Sequence, residues 1–327
     1  MDIVLQMLIE NETISGEEMK EKLQMSRAAI WKRIEKLRQE GYCIQANGKK
    51  GYCLVPQFNS LLPAEIKKEL NTKWAGQGKI YYKKEMISTN IIAKEMGNED
   101  ALHGSFAICE HQTKGRGRFQ RQWVDNNGEA LMHSLLIRPK MNMQNIQLCT
   151  LACALSMAEA ISYTYEIEDV KIKWPNDIIV NKKKCAGILS EMSVDLDGIQ
   201  FIVLGIGVNV NQTKFDEELK DRAISLKIVT GANNLCRRTL LQNYFRNIEK
   251  YIDMIENNKI KEFIHLYREA SITLQKFVKV STVNKSWVGK AVDVDETGAL
   301  LVLNEQEELV RVLSGDVSVR GLLDYCD

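Results

Sequence analysis

The feature that most constrains the fold of this chain is a change of hydrophobic pattern at two points along its 327 residues. Up to about residue 55, apolar residues repeat at helical spacing in short segments, after which helical and strand-like segments alternate. From Phe277 onward, short β-prone runs recur at intervals of about ten residues. The length also exceeds what one ordinary hydrophobic core serves. The sequence therefore predicts three domains, at residues 1–58, 64–273 and 274–327, with a linker at 57–63 where prolines and short polar residues mark a break.

The pattern also predicts the main elements of the second and third domains. In the second, it predicts a long buried helix at 146–162, an apolar central strand at 201–210 and largely helical segments at 217–226 and 236–269. In the third, it predicts short strands at 278–280, 291–294, 300–303 and 309–313.

The first of these domains is predicted to be a winged helix-turn-helix. Apolar residues at helical spacing from Ile3 onward predict a first helix. Ser15 and Glu18 form a capping box that starts a second helix, and Ser26 caps a third. Two β-prone runs flank a turn with two glycines at residues 47–51 and complete the pattern as a hairpin.

The charge of the chain is balanced, with 44 Lys+Arg against 43 Asp+Glu, so nucleic acid binding requires a local basic surface. Residues 26–50 provide one, because they hold seven basic and two acidic side chains. If the third helix is the recognition helix, its outward residues and the wing are the candidate DNA contacts. These are Ser26, Arg27, Ala28, Trp31, Lys32, Arg33, Lys49 and Lys50. A solvated basic helix face without a partner is the alternative.

The remaining composition excludes several classes of protein. Eight scattered cysteines without a CxxC pair favour reduced thiols in a cytosolic protein. No apolar stretch reaches the ~18–20 residues of a membrane span. The first residues lack the basic start and the long apolar run of a signal peptide. We therefore expect a cytoplasmic protein that makes no contact with a membrane.

Two segments of the middle domain hold polar and glycine-rich residues that folding alone does not require. Ser88-Thr89-Asn90 offers three short hydrogen-bonding side chains, suited either to a polar head group or to a helix cap. The segment 112–123 combines two glycines, whose backbone N–H groups are open to an oxyanion, with three arginines that can neutralise phosphates. A solvated basic loop is the alternative for this segment, and Trp123 is either a base-stacking or a core residue.

Two further segments complete the candidate site. Asn176 and Asp177 follow Pro175, where they can hold a base edge and a Mg²⁺ ion, and Lys184 begins an apolar strand, where it suits a developing phosphate charge. Alternating glycines in 205–211 let a flat ligand lie against a strand, although the third glycine of a dinucleotide fingerprint is missing. Together, the four segments suit the activation of a small acid by ATP as an adenylate.

With these motifs in place, the chain resembles the bifunctional biotin–protein ligases that also act as the repressor of the biotin operon. The resemblance covers the whole chain, and its motifs occur in the family's order. They are 26–30 (SRAAI), 115–118 (GRGR), 173–177 (KWPND), 184–189 (KCAGIL), 205–209 (GIGVN) and 314–320 (SGDVSVR). The family usually has GRGRxGRxW, whereas here Phe119-Gln120 precedes Arg121, so the third glycine is absent.

The resemblance implies a role for each matching residue. The biotin site would consist of Ser88, Thr89, Asn90, Gln112, Gly115, Arg116, Lys184, Gly187, Gly205 and Gly207. The ATP and adenylate site would consist of Arg118, Arg121, Trp123, Asn176, Asn209, Asp316 and Arg320. The catalytic set would be Lys184, Arg118, Asp177 and Lys173, with Asp177 also holding the metal. The substrates and cofactor would be biotin, ATP and Mg²⁺.

The same resemblance implies an α+β multidomain fold. It comprises the winged helix-turn-helix, a central α/β catalytic domain like that of class II synthetases with a mixed sheet, and a C-terminal SH3-like β-barrel. The partners would be the biotin carboxyl carrier protein of acetyl-CoA carboxylase or a related carboxylase, operator DNA, and a second copy of the chain once adenylate or DNA is bound.

Two alternatives remain open at this level. A lipoate–protein ligase shares the fold and the chemistry in outline, although the DNA-binding unit and the KWPND motif favour biotin. A repressor that binds a metabolite without catalysis is the second alternative. The presence of Lys184, Asp177 and the loop arginines argues against it.

Overall fold

A computed structural model describes residues 2–125, 128–196, 198–281, 286–314 and 318–321 of the chain. The protein forms two compact units, Met1–Leu70 and Asn71–Asp327. Each has its own set of helices and strands.

The described part of the first unit has the predicted order of three helices and a hairpin. Its elements are α1 (Ile3–Glu10), α2 (Gly16–Leu23), α3 (Arg27–Gln39), the antiparallel strands β1 (Ile44–Ala46) and β2 (Tyr52–Leu54), and a further helix, α4 (Pro63–Lys67). Both predicted caps form: Glu18 N donates to Ser15 Oγ at 3.1 Å, Ser15 N donates to the Glu18 carboxylate at 2.9 Å, and Ser26 caps α3. Local hydrogen bonds therefore fix where these helices begin.

The segment that follows the hairpin was predicted to be a linker at residues 57–63. In the structure, Leu61 and Leu62 are buried, α4 begins at Pro63, and the first compact unit extends to Leu70. Burial of the two leucines stabilises the packed position of this segment, so the predicted linker is not exposed along its whole length.

The central element of the second unit is a mixed sheet, which within the described residues has seven strands in the order β3-β4-β5-β9-β8-β7-β6. The strands are β3 (Ile80–Met86), β4 (Phe106–Gln112), β5 (Ala130–Ile137), β6 (Val170–Lys173), β7 (Asp177–Val180), β8 (Lys183–Asp195) and β9 (Gly198–Asn209). The pair β3–β4 is parallel and the other neighbouring pairs are antiparallel. As predicted, the apolar strand β9 lies in the centre.

The α-helices described in this unit are α5 (Thr89–Asn98), α6 (Gln147–Tyr165), α7 (Leu226–Thr230), α8 (Arg237–Glu256) and α9 (Ile260–Ala270), and α5, α6, α8 and α9 pack against the sheet. One helix in the described ranges, spanning 143–165, is long and apolar enough to cross a membrane, although the sequence predicts no such stretch. However, 67% of its apolar window is buried inside the protein, as expected of a core helix.

The C-terminal part is an antiparallel sheet, in which the described strands have the order β13-β12-β11-β10-β14. They are β10 (Phe277–Ser281), β11 (Ser286–Val294), β12 (Leu300–Asn304), β13 (Leu309–Val312) and β14 (Ser318–Gly321), and the sequence pattern predicts the first four but not β14. The turn between β11 and β12 contacts the rest of the second unit: Trp174 Nε1, in the turn before β7, donates to Gly298 O at 3.1 Å, and Gln147 Nε2 of α6 donates to the same oxygen at 2.6 Å.

A helix predicted over residues 217–226 is wrong. The described chain forms turns there, and α7 begins only at Leu226. The reason is a tertiary hydrogen-bond pair: Lys184 N donates to Arg222 O at 2.7 Å, and Ile224 N donates to Lys184 O at 3.0 Å. These bonds form a parallel bridge between Ala223 and Lys184 of β8 and override the good helix propensity of the segment.

His133 on β5 is a fully buried histidine. Its ring lies 4.9 Å from that of Tyr244 and 5.8 Å from that of Phe245, measured between ring centroids. Neither of its ring nitrogens has a hydrogen-bond partner among the described residues. Burial without such a partner disfavours the charged imidazolium and lowers the pKa of His133 from 6.5 to about 3.

We expect His133 to make the protein sensitive to acid. Because the folded-state pKa lies below the ordinary value, the unfolded chain binds the proton first, and the free energy of unfolding decreases as the pH falls below 6.5. At pH 5, this histidine is expected to lower the free energy of unfolding by about 2 kcal/mol relative to neutral pH. Urea unfolding at pH 7 and pH 5 measures it, and His133→Phe should lose less stability between these pH values than the wild type. The exposed His265→Gln is the control, and equal acid sensitivity of His133→Phe and wild type would contradict the assignment.

Candidate active site

A pocket of about 960 Å³ lies against β8 and β9 and brings most of the predicted site residues together. Those in its lining are Ser88, Thr89, Asn90, Gln112, Arg116, Arg118, Arg121, Trp123, Lys173, Asn176, Asp177, Lys184, Gly187, Gly205, Gly207 and Asn209. They come from segments up to about 120 residues apart in the chain. The central sheet therefore assembles the site.

The start of α5 supplies a wall of neutral polar side chains. Thr89 N donates to Gln112 Oε1 at 2.7 Å. Ser134 Oγ lies 2.7 Å from Thr89 Oγ1 and 2.6 Å from Asn90 Oδ1. Asn90 Nδ2 in turn donates to the carboxylate of Glu191 at 2.7 Å. This end of the pocket suits an uncharged polar head group, because its buried groups are hydrogen-bond donors and acceptors without net charge.

Ser88 precedes α5 as its N-cap residue, so the helix-cap interpretation of this segment is correct for its backbone. Its side chain, however, makes no capping hydrogen bond, and the residue is 3% exposed in the pocket lining. Ser88 thus borders the pocket while it begins the helix.

Two glycines of β9 leave space for side chains of the pocket that lie directly over the strand. A Cβ atom at Gly205 would overlap Asn90 Oδ1, and one at Gly207 would overlap the indole ring of Trp123. Gly187 on β8 is the direct cross-strand partner of Gly207. A Cβ atom at Gly187 would lie 3.3 Å from the same indole ring. The alternating glycines therefore bring two pocket side chains against the sheet.

Trp123 lines the pocket with its indole between the glycines and Lys184. The Lys184 Nζ atom lies 5.8 Å from the ring centroid. The indole Nε1 is buried and has no hydrogen-bond partner within the described residues. An unsatisfied buried donor costs about 1–3 kcal/mol, so a ligand acceptor beside the indole would recover that free energy.

The arginine loop, residues 115–121, is closed at its base by backbone bonds. Trp123 N donates to Gly115 O at 3.0 Å, and Gly117 N donates to Arg121 O at 2.7 Å. At its tip, Phe119 and Gln120 have φ values of 55° and 57°. This is the left-handed region, which costs L-residues free energy and is open to glycine.

The three arginines of the loop have different surroundings. Arg116 and Arg121 are exposed at the pocket mouth. Arg118 reaches across it, where Nη1 donates to Asn176 Oδ1 at 3.1 Å and Nη2 donates to the carbonyl of Ser314. Arg118 therefore connects the loop, the turn before β7 and the C-terminal sheet.

Lys184 and Asp177 form an ion pair inside the pocket, with 2.6 Å between Nζ and Oδ1. The side chains are 28% and 14% exposed, respectively. Lys173, which is 6% exposed, and Arg118 line the same region. Three cations against one carboxylate leave this end of the pocket electropositive, which suits phosphate groups.

Asn176 and Asn209 are both buried, and their carboxamides already bond to protein. Asn176 Nδ2 donates to Ile188 O at 2.8 Å. Asn209 Nδ2 donates to Ile224 O at 3.2 Å, while its Oδ1 accepts from Gln212 Nε2 at 3.1 Å. The two Asn209 bonds therefore tie both ends of the segment 212–224, most of which lines the pocket, to β9.

A few predicted site residues lie elsewhere or cannot be placed. Gly115 is buried but is not part of the pocket lining, and a Cβ atom at this position would overlap Trp123 O. Asp316 lies outside the described residues. Arg320 contributes its backbone to β14, but its side chain lies outside the described part, as does the side chain of Lys49.

Sequence reasoning missed three residues that support the pocket wall. Ser134 is a single hydroxyl in the otherwise apolar end of a buried strand, which is a detectable signal. Glu191 follows an apolar run and bonds to both Asn90 and Lys94. The carboxylate of Asp125 accepts from Gln112 N at 2.9 Å, a contact that no local sequence pattern indicates.

The candidate DNA-binding surface of the first unit contains paired and exposed residues. Arg27 is paired with Glu17 of α2, and Arg33 Nη1 lies 3.0 Å from Asp2 Oδ2 at the start of α1. Trp31 is 55% exposed, and Ser26, Ala28, Lys32 and Lys50 are also exposed. The outward face of α3 therefore presents an aromatic ring and a lysine beside two arginines that are held by carboxylates.

Models of three families match successive parts of the chain. A helix-turn-helix domain matches residues 3–53, the biotin/lipoate A/B protein ligase family matches 84–209, and the biotin protein ligase C-terminal domain matches 274–320.

Relatives and solved structures extend this similarity over the length of the chain. The bifunctional ligase/repressor BirA of Bacillus subtilis is 35% identical, over 94% of this chain and 94% of its own. The BirA of Escherichia coli is 27% identical, over 97% of this chain and 96% of its own. The structure of biotin protein ligase from Aquifex aeolicus in complex with biotin and ATP is 32% identical, with a TM-score of 0.66, and covers 75% of this chain and 99% of that one.

Proposed function

The chain belongs to the family of bifunctional ligase/repressors, and from this we propose that it attaches biotin to a carrier protein and represses transcription. The observation that carries the ligase assignment is the division of one pocket into two ends. One end offers buried neutral hydrogen-bonding groups around Asn90, and the other offers cations around Lys184. A ligand with an uncharged polar head and a carboxylate fits this division. Its head group would lie at the neutral end, and its carboxylate would meet the ATP phosphate at the cationic end.

The reaction has two steps. In the first, an oxygen of the biotin carboxylate attacks the α-phosphorus of ATP, the bond to the β-phosphate oxygen breaks, and pyrophosphate leaves. In the second, the ε-amine of a carrier lysine attacks the carbonyl carbon of biotinyl-AMP, AMP leaves, and the amine loses a proton. The protein contributes by positioning the substrates and by stabilising negative charge.

The residue roles proposed for the first step are those implied by the family resemblance, and the shared position of these residues in the pocket lining supports them. Lys184 would bridge the biotin carboxylate and the α-phosphate, and Lys173 would neutralise a neighbouring phosphate oxygen. Arg118 would close over the phosphate from the loop. The indole of Trp123 would lie against the adenine, beside Asn176 and Asn209.

The donor set of the pocket fits Mg²⁺ that arrives with ATP. Magnesium in nucleotide sites usually has one or two protein carboxylates and several phosphate or water ligands. Asp177 is a carboxylate in the electropositive region, and the described chain has no group of three or more His, Cys, Asp or Glu residues arranged for a metal. Asp177 would therefore hold the ion, which lowers the negative charge of the phosphates.

The ligase proposal is tested with purified protein, Mg²⁺, ATP and either biotin or lipoate. We expect biotinyl-AMP by mass spectrometry, and a mass gain on one lysine when the biotin carrier domain of acetyl-CoA carboxylase is added. Lipoyl-AMP in place of biotinyl-AMP would favour a lipoate ligase. Binding of biotin without either adenylate would favour a repressor that no longer catalyses.

The repressor function is proposed from the helix-turn-helix unit and its basic surface. Two copies of α3 on a two-fold operator require a homodimer, and the proposal is that biotinyl-AMP or DNA promotes it. We also propose a cytoplasmic location, because the proposed operator DNA and carrier protein would both be met there.

We expect the double variant Trp31→Ala, Lys32→Ala to lose operator affinity, because it removes the exposed ring and lysine of α3. A mobility shift with biotin and ATP present measures it, and adenylate formation should not change. Lys259→Ala, an exposed lysine of the second unit, is the matched control. Retention of full operator affinity by the double variant would exclude α3 as the recognition helix.

The arginine loop gives a further prediction, because Gln120 has the left-handed backbone that glycine adopts without strain. We expect Gln120→Gly to release biotinyl-AMP several-fold more slowly, because glycine removes backbone strain from the loop that is proposed to close over the phosphate. The strain that is relieved amounts to about 1–2 kcal/mol at most. The dissociation rate of radiolabelled adenylate measures the effect. Gln120→Ala is the control and should not slow release, because alanine meets the same backbone restriction.

A further inference from the structure

A chain of hydrogen bonds runs from the protein surface to the neutral end of the pocket. Lys94 Nζ donates to Glu191 at 3.0 Å, and Glu191 accepts from Asn90 Nδ2 at 2.7 Å. Asn90 Oδ1 lies 2.6 Å from Ser134 Oγ, which lies 2.7 Å from Thr89 Oγ1. Asn90, Ser134 and Thr89 are 6%, 0% and 3% exposed, so water does not compete with these bonds.

The chemistry of Glu191 decides how the Asn90 amide is oriented. A carboxylate only accepts hydrogen bonds, and so does the carbonyl of Leu189, which lies 3.3 Å from Asn90 Nδ2. The NH₂ group must therefore face Glu191 and Leu189, and the carbonyl oxygen must face Ser134. The absent side chain of Gly205, the cross-strand partner of Ser134, leaves the space that this oxygen occupies.

The orientation of Asn90 decides the direction of the next two bonds. An amide oxygen cannot donate, so the single hydroxyl proton of Ser134 lies on the bond to Asn90 Oδ1. Ser134 Oγ can then only accept from Thr89 Oγ1, and the Thr89 proton lies on that bond. The remaining lone pairs of Thr89 Oγ1 are left to accept from a ligand.

Gln112 presents a second acceptor at the same place. Its Oε1 is identified by the bond from Thr89 N at 2.7 Å, because a backbone N–H only donates. Oε1 lies 3.2 Å from Thr89 Oγ1, and the two oxygens border the pocket together. The proton of Thr89 is directed to Ser134, so both oxygens face the ligand as acceptors.

We propose that Glu191 and Ser134 are positioning residues that fix Thr89 and Gln112 as acceptors and so select head groups with N–H donors. The inference rests on the proposed ligase function and deepens it. A cyclic urea offers two N–H groups to such acceptors, whereas a dithiolane ring offers none. When a head group without N–H donors binds, both acceptors stay buried without a hydrogen bond, and this free-energy cost weakens its binding.

Four variants test the proposal: Ser134→Ala, Glu191→Ala, Glu191→Gln and Lys94→Ala. Steady-state adenylate formation gives KM for biotin and for ATP, and calorimetry gives the binding of biotin and lipoate directly. We expect Ser134→Ala and Glu191→Ala to raise KM for biotin about tenfold and to leave KM for ATP within twofold, so that the preference for biotin over lipoate falls. Glu191→Gln should behave like the wild type, because its carboxamide oxygen still accepts from Asn90. Lys94→Ala is the matched control, because it removes the ion pair and leaves the acceptor in place.

Two results would overturn the proposal. One is an unchanged KM for biotin in both alanine variants, and the other is an equal rise of KM for biotin and ATP, which indicates general distortion of the pocket. A wild-type protein that forms no biotinyl-AMP would contradict the proposed function instead. In that case, the calorimetric preference of the same variants for biotin over lipoate still decides the inference.

Discussion

Lys184→Ala is expected to lower the rate of biotinyl-AMP formation about 10²–10³-fold at saturating biotin and ATP, without unfolding the protein. Its Nζ atom is paired with Asp177 at 2.6 Å in a pocket region that is otherwise cationic. The proposed reaction develops negative charge on the α-phosphate, and a fixed cation at that point stabilises the transition state more than the separate substrates. The loss should therefore appear in kcat.

Pyrophosphate release in stopped-flow or quench experiments measures this rate, and thermal unfolding shows whether the variant is folded. Lys182→Ala is the matched control, because Lys182 is an exposed lysine in the turn between β7 and β8. If Lys184→Ala turned over at nearly the normal rate with saturating substrates, the catalytic role of this lysine would be excluded.

Gly205→Ala is expected to raise the Kd for biotin by about 100-fold, because the new methyl group would overlap Asn90 Oδ1. Asn90 cannot move away without breaking its bonds to Glu191 and Ser134. A buried polar group that loses its partners costs about 1–3 kcal/mol, and the displaced side chain also closes the head-group end of the pocket.

Isothermal titration with biotin measures the effect directly. The matched control is Gly16→Ala at the start of α2, where the same methyl group meets only the Tyr52 ring at 3.9 Å. Biotin affinity close to that of the wild type in Gly205→Ala would show that the head group does not bind beside Asn90.

The two predictions concern the two ends of one pocket. Around Asn90 the protein offers neutral groups with fixed donor and acceptor directions, and we expect these to give specificity for the head group. Around Lys184 it offers cations, which we expect to act on the charge that develops during the proposed reaction. Variants of the first end should change KM for biotin, whereas variants of the second should change kcat.

Several features were predictable from the sequence because they are local. The capping box of Ser15 and Glu18 and the cap at Ser26 involve residues three positions apart, so the sequence places these helix starts correctly. The apolar run of β9 and the long helix α6 were also predicted, because their length and composition have few alternatives. The motifs of the loop, the strand glycines and Lys184 indicated acid activation and, with the rest of the chain, the family.

Other features were wrong or absent because distant contacts decide them. The helix predicted at 217–226 does not form, because the backbone of Lys184 at the start of β8 forms hydrogen bonds with the backbone of Arg222 and Ile224. The strand β14 was not predicted as a strand and forms by pairing with β10 about forty residues earlier. Intrinsic propensity is a weak preference that such hydrogen bonds exceed.

Local patterns in the sequence were enough to indicate the order of the domains, most of the elements and the residue types of the candidate site. Which of these residues share a wall of the pocket, and which way their hydrogen bonds run, depends on contacts between distant segments. The path from Glu191 through Asn90 and Ser134 to Thr89 joins three separate segments of the chain. Periodicity reports which face of a strand or helix is buried, but the partner across that face depends on strand order and register. The register of β5 with β9 sets Ser134 opposite Gly205, and this gives Asn90 its place in the pocket.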